Sequence, residues 1–188
     1  MTPGPSPFSV IYEDNHLLVV NKPAELPTMG VEASRPSLLS VAKTYIAAKY
    51  QKPGNVYLGI VSRLDAPVTG IVVIARTSKA ARRLSEQFRN GTVTKTYLAL
   101  VQPGPRPSDQ PVECTDWLKK HERHRKVLVV DESTPAAQEA RLRFISLGKS
   151  GRRALLRVTL LTGRKHQIRV QLSSRDFPIL GDRKYGSS

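Results

Sequence analysis

Four stretches of the chain bring together residue types able to do chemistry, each set against an apolar run. The first is Ser62-Arg63-Leu64-Asp65-Ala66-Pro67-Val68-Thr69-Gly70. A carboxylate beside a buried strand is costly unless hydrogen bonds or a cation support it. Arg63 is two residues away, on the same face if the segment is extended. Read alone, Asp65 is either a working carboxylate or a turn aspartate capped by its own backbone or by Thr69. The second stretch is Lys95-Thr96-Tyr97 at a strand start, where Tyr97 reads as a core aromatic whose hydroxyl reaches the surface. The third, Thr162-Gly163-Arg164-Lys165-His166-Gln167-Ile168-Arg169, packs three cations and a histidine into six residues. A solvated basic face and a phosphate-contacting one look identical at this level. The fourth, Gly181-Asp182-Arg183-Lys184-Tyr185-Gly186, is either a part of such a site or simply a charged turn.

Other chemistries find little support. No glycine-rich loop ends in Lys-Ser or Lys-Thr, so nothing marks a nucleotide-phosphate cradle. His121 and His124 stand three apart, but Cys114 is the only nearby thiol and no carboxylate completes a metal-ligand spacing. No base is marked as a partner for Cys114 as a nucleophile.

The elements that must position these stretches follow from periodicity. Residues 1–10 are expected to be a flexible tail, proline-rich at their start. Residues 17–20 read as a buried strand closed by Asn21-Lys22-Pro23. Ser37 is the expected N-cap of a helix running to about Tyr50, with Leu38, Val41, Tyr45 and Ala48 on its apolar face. Lys52-Pro53-Gly54-Asn55 is a turn. Residues 70–76 (GIVVIAR) read as a strand buried on both faces. A helix is expected from about Ser78 to Asn90, with Ala81, Leu84 and Phe88 inward and Lys79, Arg82, Arg83 and Arg89 outward, ended by Gly91. A strand follows at 97–101, then a proline-rich loop at 103–111. Alternation predicts two antiparallel neighbours at 139–147 and 154–161. After Gly163 the apolar positions suit a helix, and Ile168, Val170 and Leu172 also alternate as a strand would. This order implies an α+β fold with a mainly antiparallel mixed sheet and flanking helices.

Composition sets the partner class. The 188 residues hold 30 Lys and Arg against 15 Asp and Glu, a net charge of +15, and the sequence pI is about 10.4. The charge is uneven: residues 1–60 carry five basic and four acidic side chains, residues 61–188 carry 25 and 11. Such a footprint fits a polyanion, above all nucleic acid. Membrane binding lacks a basic amphipathic segment with a long apolar face, and no apolar run approaches the roughly 18 residues needed to span a bilayer. The opening MTPGPSPFSVIYEDNH does not read as a secretory signal. One cysteine, Cys114, permits no intramolecular disulfide, which fits a reducing compartment and an expected cytoplasmic location.

Taken together, the stretches resemble the RluA-type family of pseudouridine synthases. The likeness runs from IYEDNHLLVVNKPA (11–24) through SRLDAPVTGIVVIARTSKAARRLSEQF (62–88), KTYLALV (95–101) and TGRKHQIRVQL (162–172) to PILGDRKYG (178–186). One such piece is weak evidence, whereas five in the same order are strong. The resemblance implies a pseudouridine synthase fold over residues 11–188 and an isomerase that detaches uracil from ribose and rejoins it through carbon 5. It makes Asp65 the catalytic carboxylate, which attacks the anomeric carbon or the uracil ring, or supports a glycal route. Tyr97 is then the tyrosine under the base, and Arg169 the cation that pairs with the aspartate. Arg63 takes the space left by the flipped nucleotide, and Arg164, His166, Gln167 and Ile168 fall to substrate binding. No cofactor and no metal are implied. The implied partner is ribosomal or transfer RNA, without DNA or membrane, bound by a monomer.

The chain departs from the family pattern at Ser62, where histidine is usual, and at Val68-Thr69, where Thr-Ser is usual. Relatives extend by a further strand and helix beyond this C-terminus. With no separate RNA-binding domain before residue 11, recognition is expected from the catalytic domain itself. The competing expectation is a catalytically silent RNA-binding module, a chaperone or ribosome-assembly factor, on the same fold.

Overall fold

The computed structural model describes residues 7–32, 34–102, 104, 107–124 and 126–186. The chain divides into two compact units, Met1–Thr92 and Val93–Ser188.

The first unit is a four-stranded antiparallel sheet with two helices. In chain order it contains β1 (Ser9–Glu13), β2 (Leu17–Lys22), α1 (Leu38–Lys49), β3 (Gly59–Ile60), β4 (Gly70–Ala75) and α2 (Ser78–Arg89). The sheet order is β1-β2-β4-β3. The β1–β2 connection is fixed by Asp14, whose carboxylate accepts the His16 and Leu17 amides at 2.7 and 2.6 Å. Leu18 and Val20 of β2 lie opposite Ile74 and Val72 of β4. These four form one core with Leu38, Ala42 and Ile46 of α1. Most of the expected tail, residues 1–6, lies outside the described residues. Phe8 is buried and β1 opens at Ser9.

Two expectations need correction here. Ser37 does cap α1, in a reciprocal capping box with Ser40. The buried stripe, however, is Leu38-Ala42-Ile46, with Val41 and Tyr45 half-buried and Ala48 exposed. The helix is turned because the Tyr45 hydroxyl donates to Glu13 at the rim, 2.9 Å away. The second correction is β4, which is not buried on both faces. Val72 and Ile74 face α1, while Ile71 on the other side is 64% exposed. On that second face α2 comes close where Gly59 and Ala75 pair. A Cβ on Gly59 would lie 2.9 Å from the Ala81 Cβ and 3.6 Å from that of Ala75. Ala81, Leu84 and Phe88, the expected inner residues of α2, are half-buried, and no residue of the helix is fully buried.

The second unit is a five-stranded antiparallel sheet with one short helix. It contains β5 (Lys95–Val101), β6 (Val112–His121), β7 (Lys126–Val130), β8 (Gln138–Ser150), β9 (Arg153–Leu160) and α3 (Gln167–Ser173), in sheet order β5-β9-β8-β6-β7. The expected pairing of β8 with β9 is antiparallel, with Phe144 opposite Val158. Residues 103, 105 and 106 of the proline-rich loop lie outside the described residues. β6 and β7 were not anticipated from periodicity. Leu142, Phe144, Leu156 and Val158 share a core with Ala99, Val101, Cys114 and Leu172. Of the two readings of the segment after Gly163, the structure takes the helix. Val170 and Leu172 are both buried within α3.

Candidate functional site

The residues named from the sequence fall in both units. In the first, Asp65 sits in a tight turn between β3 and β4, where its carbonyl accepts the Val68 amide at 3.0 Å. The turn is clamped on both sides of Asp65. On one side, the buried Thr28 hydroxyl donates to the Leu64 carbonyl at 2.8 Å and accepts the Leu64 amide at 3.1 Å. On the other, Lys22 Nζ donates to the Ala66 carbonyl at 3.1 Å, and to those of Pro23 and Leu26 at 2.7 Å each. Lys22 has no exposed surface. An ammonium has three hydrogens to give, so this buried one is fully engaged. Burial lowers the Lys22 pKa, and the nearby Asp65 and Glu25 carboxylates oppose that shift. The turn therefore holds the Asp65 carboxylate close to a fixed, buried cation. Arg63 is exposed and Asp65 half-buried.

Gly70 closes the turn with φ +133°, a conformation a side chain would strain. Its Lys22 partner in the β2–β4 register marks where sheet and turn meet.

In the second unit, Tyr97 stands on β5 opposite Val158, half-buried against the sheet core. The basic stretch forms the loop into α3. Gln167, 2% exposed, organises that loop. Its Oε1 accepts the Thr162 hydroxyl and the Arg164 amide, both at 2.8 Å, and its Nε2 donates to the Arg141 carbonyl at 3.0 Å. All of these bonds are internal, so Gln167 shapes the loop and is not open to a ligand. Ile168 packs half-buried against the core. Arg164 is exposed, with Nε donating to the Glu139 carbonyl at 2.9 Å.

His166 has φ 53°, in the left-handed region, and its Nδ1 lies 2.7 Å from the Tyr185 hydroxyl. That hydroxyl also accepts the Val127 amide at 2.8 Å. Arg169 donates through Nε and Nη2 to the two carboxylate oxygens of Asp182, both at 2.7 Å, and its guanidinium lies 5.1 Å from the Tyr185 ring centroid. Burial pushes the Asp182 carboxyl up, but Arg169 and the Lys184 and Tyr185 amides outweigh it and hold its pKa below the usual carboxylate value. Arg164, His166, Gln167, Ile168 and Arg169 are thus gathered on one loop and helix, while Arg63 and Asp65 belong to the turn of the first unit.

Residue type and spacing do not mark Lys22, Thr28, Asp182 or Tyr185 individually as functional. Lys22 did leave a signal, since it falls on the same alternate face as the core residues Leu18 and Val20. Asp182 and Tyr185 belong to the fourth stretch, which is not a mere charged turn but the seat of Arg169 and His166.

Comparison with known proteins gives the class. The family profile described as RNA pseudouridylate synthase matches residues 16–174. The dual-specificity RNA pseudouridine synthase RluA of Salmonella typhimurium (strain LT2) is 34% identical over 192 residues, covering 98% of this chain and 80% of the relative. The ribosomal large subunit pseudouridine synthase D of Nitrosomonas europaea is 36% identical over 182 residues, covering 96% of this chain and 50% of the relative. The structure of human RNA pseudouridylate synthase domain containing 4 superposes with a TM-score of 0.78 at 28% identity, over 95% of this chain and 69% of that one. The chain belongs to the RNA pseudouridylate synthase family, with the RluA type among its relatives. It spans 53%, 50% and 58% of the length of three of the ribosomal large subunit synthases it matches.

Proposed function

We propose that this chain isomerises uridine to pseudouridine in structured RNA, ribosomal or transfer, with Asp65 as the catalytic carboxylate. The observation that carries the reading is the Asp65 turn, clamped by Lys22 and Thr28 in a chain of this family. Such rigidity suits a group that must meet a sugar or base carbon in one geometry.

The target carbons are inaccessible in a stacked base, so the nucleotide must leave the helix. Arg63, exposed beside Asp65, fills the space it vacates. The C1′–N1 bond breaks and a C1′–C5 bond forms. The hydrogen on C5 is lost, and N1 takes up a proton. Bonds made and broken belong to one nucleotide, so the reaction needs no redox equivalent and no activated donor. Tyr97 packs under the base, and Arg169, seated by Asp182, orients Asp65. Arg164 and His166 contact the RNA, and Gln167 acts through the loop it shapes. We take residues 11–188 as one catalytic domain acting as a monomer in the cytoplasm. The free thiol of Cys114, buried and pushed up in pKa chiefly by that burial, suits a reducing setting.

The test is Asp65→Asn, assayed by pseudouridine-specific chemical mapping of RNA alongside a binding measurement. Conversion is expected to vanish while RNA affinity stays within a few-fold of wild type. Persistent conversion would remove Asp65 from the chemistry. Absence of conversion by the wild-type chain on every RNA tested would leave only an RNA-binding role.

A further inference from the structure

Among the described residues, the outer face of α2 has no partner. Lys79, Arg82, Arg83 and Arg89 are all exposed, and among the described residues none of their side chains takes part in an ion pair or side-chain hydrogen bond. At about 100° per residue, these four side chains and Glu86 occupy roughly a third of the helix circumference. Ala81, Leu84 and Phe88 lie on the opposite side. Glu86 is the one acid on the cationic face, spaced to meet Arg82 or Arg83, yet it pairs with neither.

This arrangement is electrostatically unfavourable for the isolated protein. Lys79 and Arg83 stand one turn apart, where like charges repel. The first turn of α2 contains no acidic residue, so Lys79 also faces the positive end of the helix dipole. Among the described residues no ion pair offsets either effect, whereas an external polyanion would offset both. The position of the helix points the same way. α2 packs through Ala81 on Gly59, and β3, which contains Gly59, runs directly into the Asp65 turn.

We infer that the Lys79-Arg82-Arg83-Arg89 face of α2 is a docking surface for the phosphate backbone of RNA flanking the reacting nucleotide. The inference rests on RNA being the substrate. Contacts of this kind follow backbone charge and not base identity, so the surface adds affinity across sequences and releases counterions when it binds.

The experiment compares wild type, the triple variant K79Q/R82Q/R83Q and the charge-retaining K79R/R82K/R83K. Each is titrated against a fluorescein-labelled RNA stem-loop over a salt series. Glutamine is a good helix former and these side chains make no internal bonds, so the glutamine variant should melt at or slightly above the wild-type temperature. Each phosphate contact contributes about 0.7–0.9 to the slope of log K against log salt. The glutamine variant should therefore flatten the slope by about 2–3 and weaken binding at low salt at least tenfold, while the charge-retaining variant keeps the wild-type slope.

A third variant, K149Q/R152Q/R153Q, removes the same charge from the exposed tip of the β8–β9 hairpin. Equal flattening by that variant would assign the effect to total charge and overturn the inference. So would an unchanged slope in the α2 glutamine variant while wild type remains active on RNA. If wild type neither binds the stem-loop nor forms pseudouridine, the enzymatic reading falls, and this surface falls with it.

Discussion

At the residue scale, the candidate residues include charged groups placed where apolar ones are expected, each met by polar partners. Lys22 occupies a core-facing strand position because three carbonyls take its hydrogens. Asp182 is buried because Arg169 meets it with two parallel bonds. The pairing has a consequence for pH. A carboxyl whose folded pKa is lowered contributes stability that is complete above its unfolded value, near 4. That contribution is lost as pH falls through the folded value. Asp182→Asn should therefore cost about 2–3 kcal/mol at neutral pH. The melting temperature of the variant should then decline less than that of wild type as the solution is acidified below about pH 4. Parallel acid curves would show that the Arg169–Asp182 pair contributes nothing to stability. Asp65 was legible in the sequence because motif order singled it out. Lys22 and Thr28, which fix its turn, were not, because a clamp is defined by where it reaches and that is a tertiary fact.

At the element scale, what periodicity could see was decided by how cleanly each face was apolar. β8 and β9 alternate plainly and were anticipated with their pairing. β6 was not, because Asp116 shares the face of the buried Cys114 and Leu118 and breaks the pattern. Its carboxylate is met by Arg175 at 2.7 Å and by Gln171 at 2.6 Å, both far along the chain. β7 hides differently: Val127 is buried while Leu128 and Val129 are about 40% exposed, so a continuous apolar run gives no alternation to read. The α2–β3 contact yields a prediction at this scale. Gly59→Ala places a methyl where the Ala81 Cβ leaves 2.9 Å and the Tyr57 hydroxyl 3.1 Å. Overpacking of this kind costs about 1–3 kcal/mol. Urea denaturation should show that loss in Gly59→Ala, and combining it with Ala81→Gly should recover part of it. Additive losses in the double variant would mean that the two positions do not press on each other.

At the scale of the whole molecule, the excess of cations over residues 61–188 predicts how the protein meets RNA. Affinity for RNA should fall linearly in log–log form with salt, on the order of a thousandfold between about 50 and about 200 mM. Fluorescence anisotropy across that range checks it, and a flat response would separate the charge from recognition. The division into units has a different kind of consequence. Each unit is a continuous stretch of chain, and among the described residues no strand is lent from one sheet to the other. Chains fold domain by domain from the N-terminus as they are made. The Lys22 and Thr28 clamps, with the carbonyls and the amide they meet, lie within residues 22–66. These clamps can therefore close on the nascent chain before residues 93–188 have been synthesised, and the order of translation becomes an order of assembly.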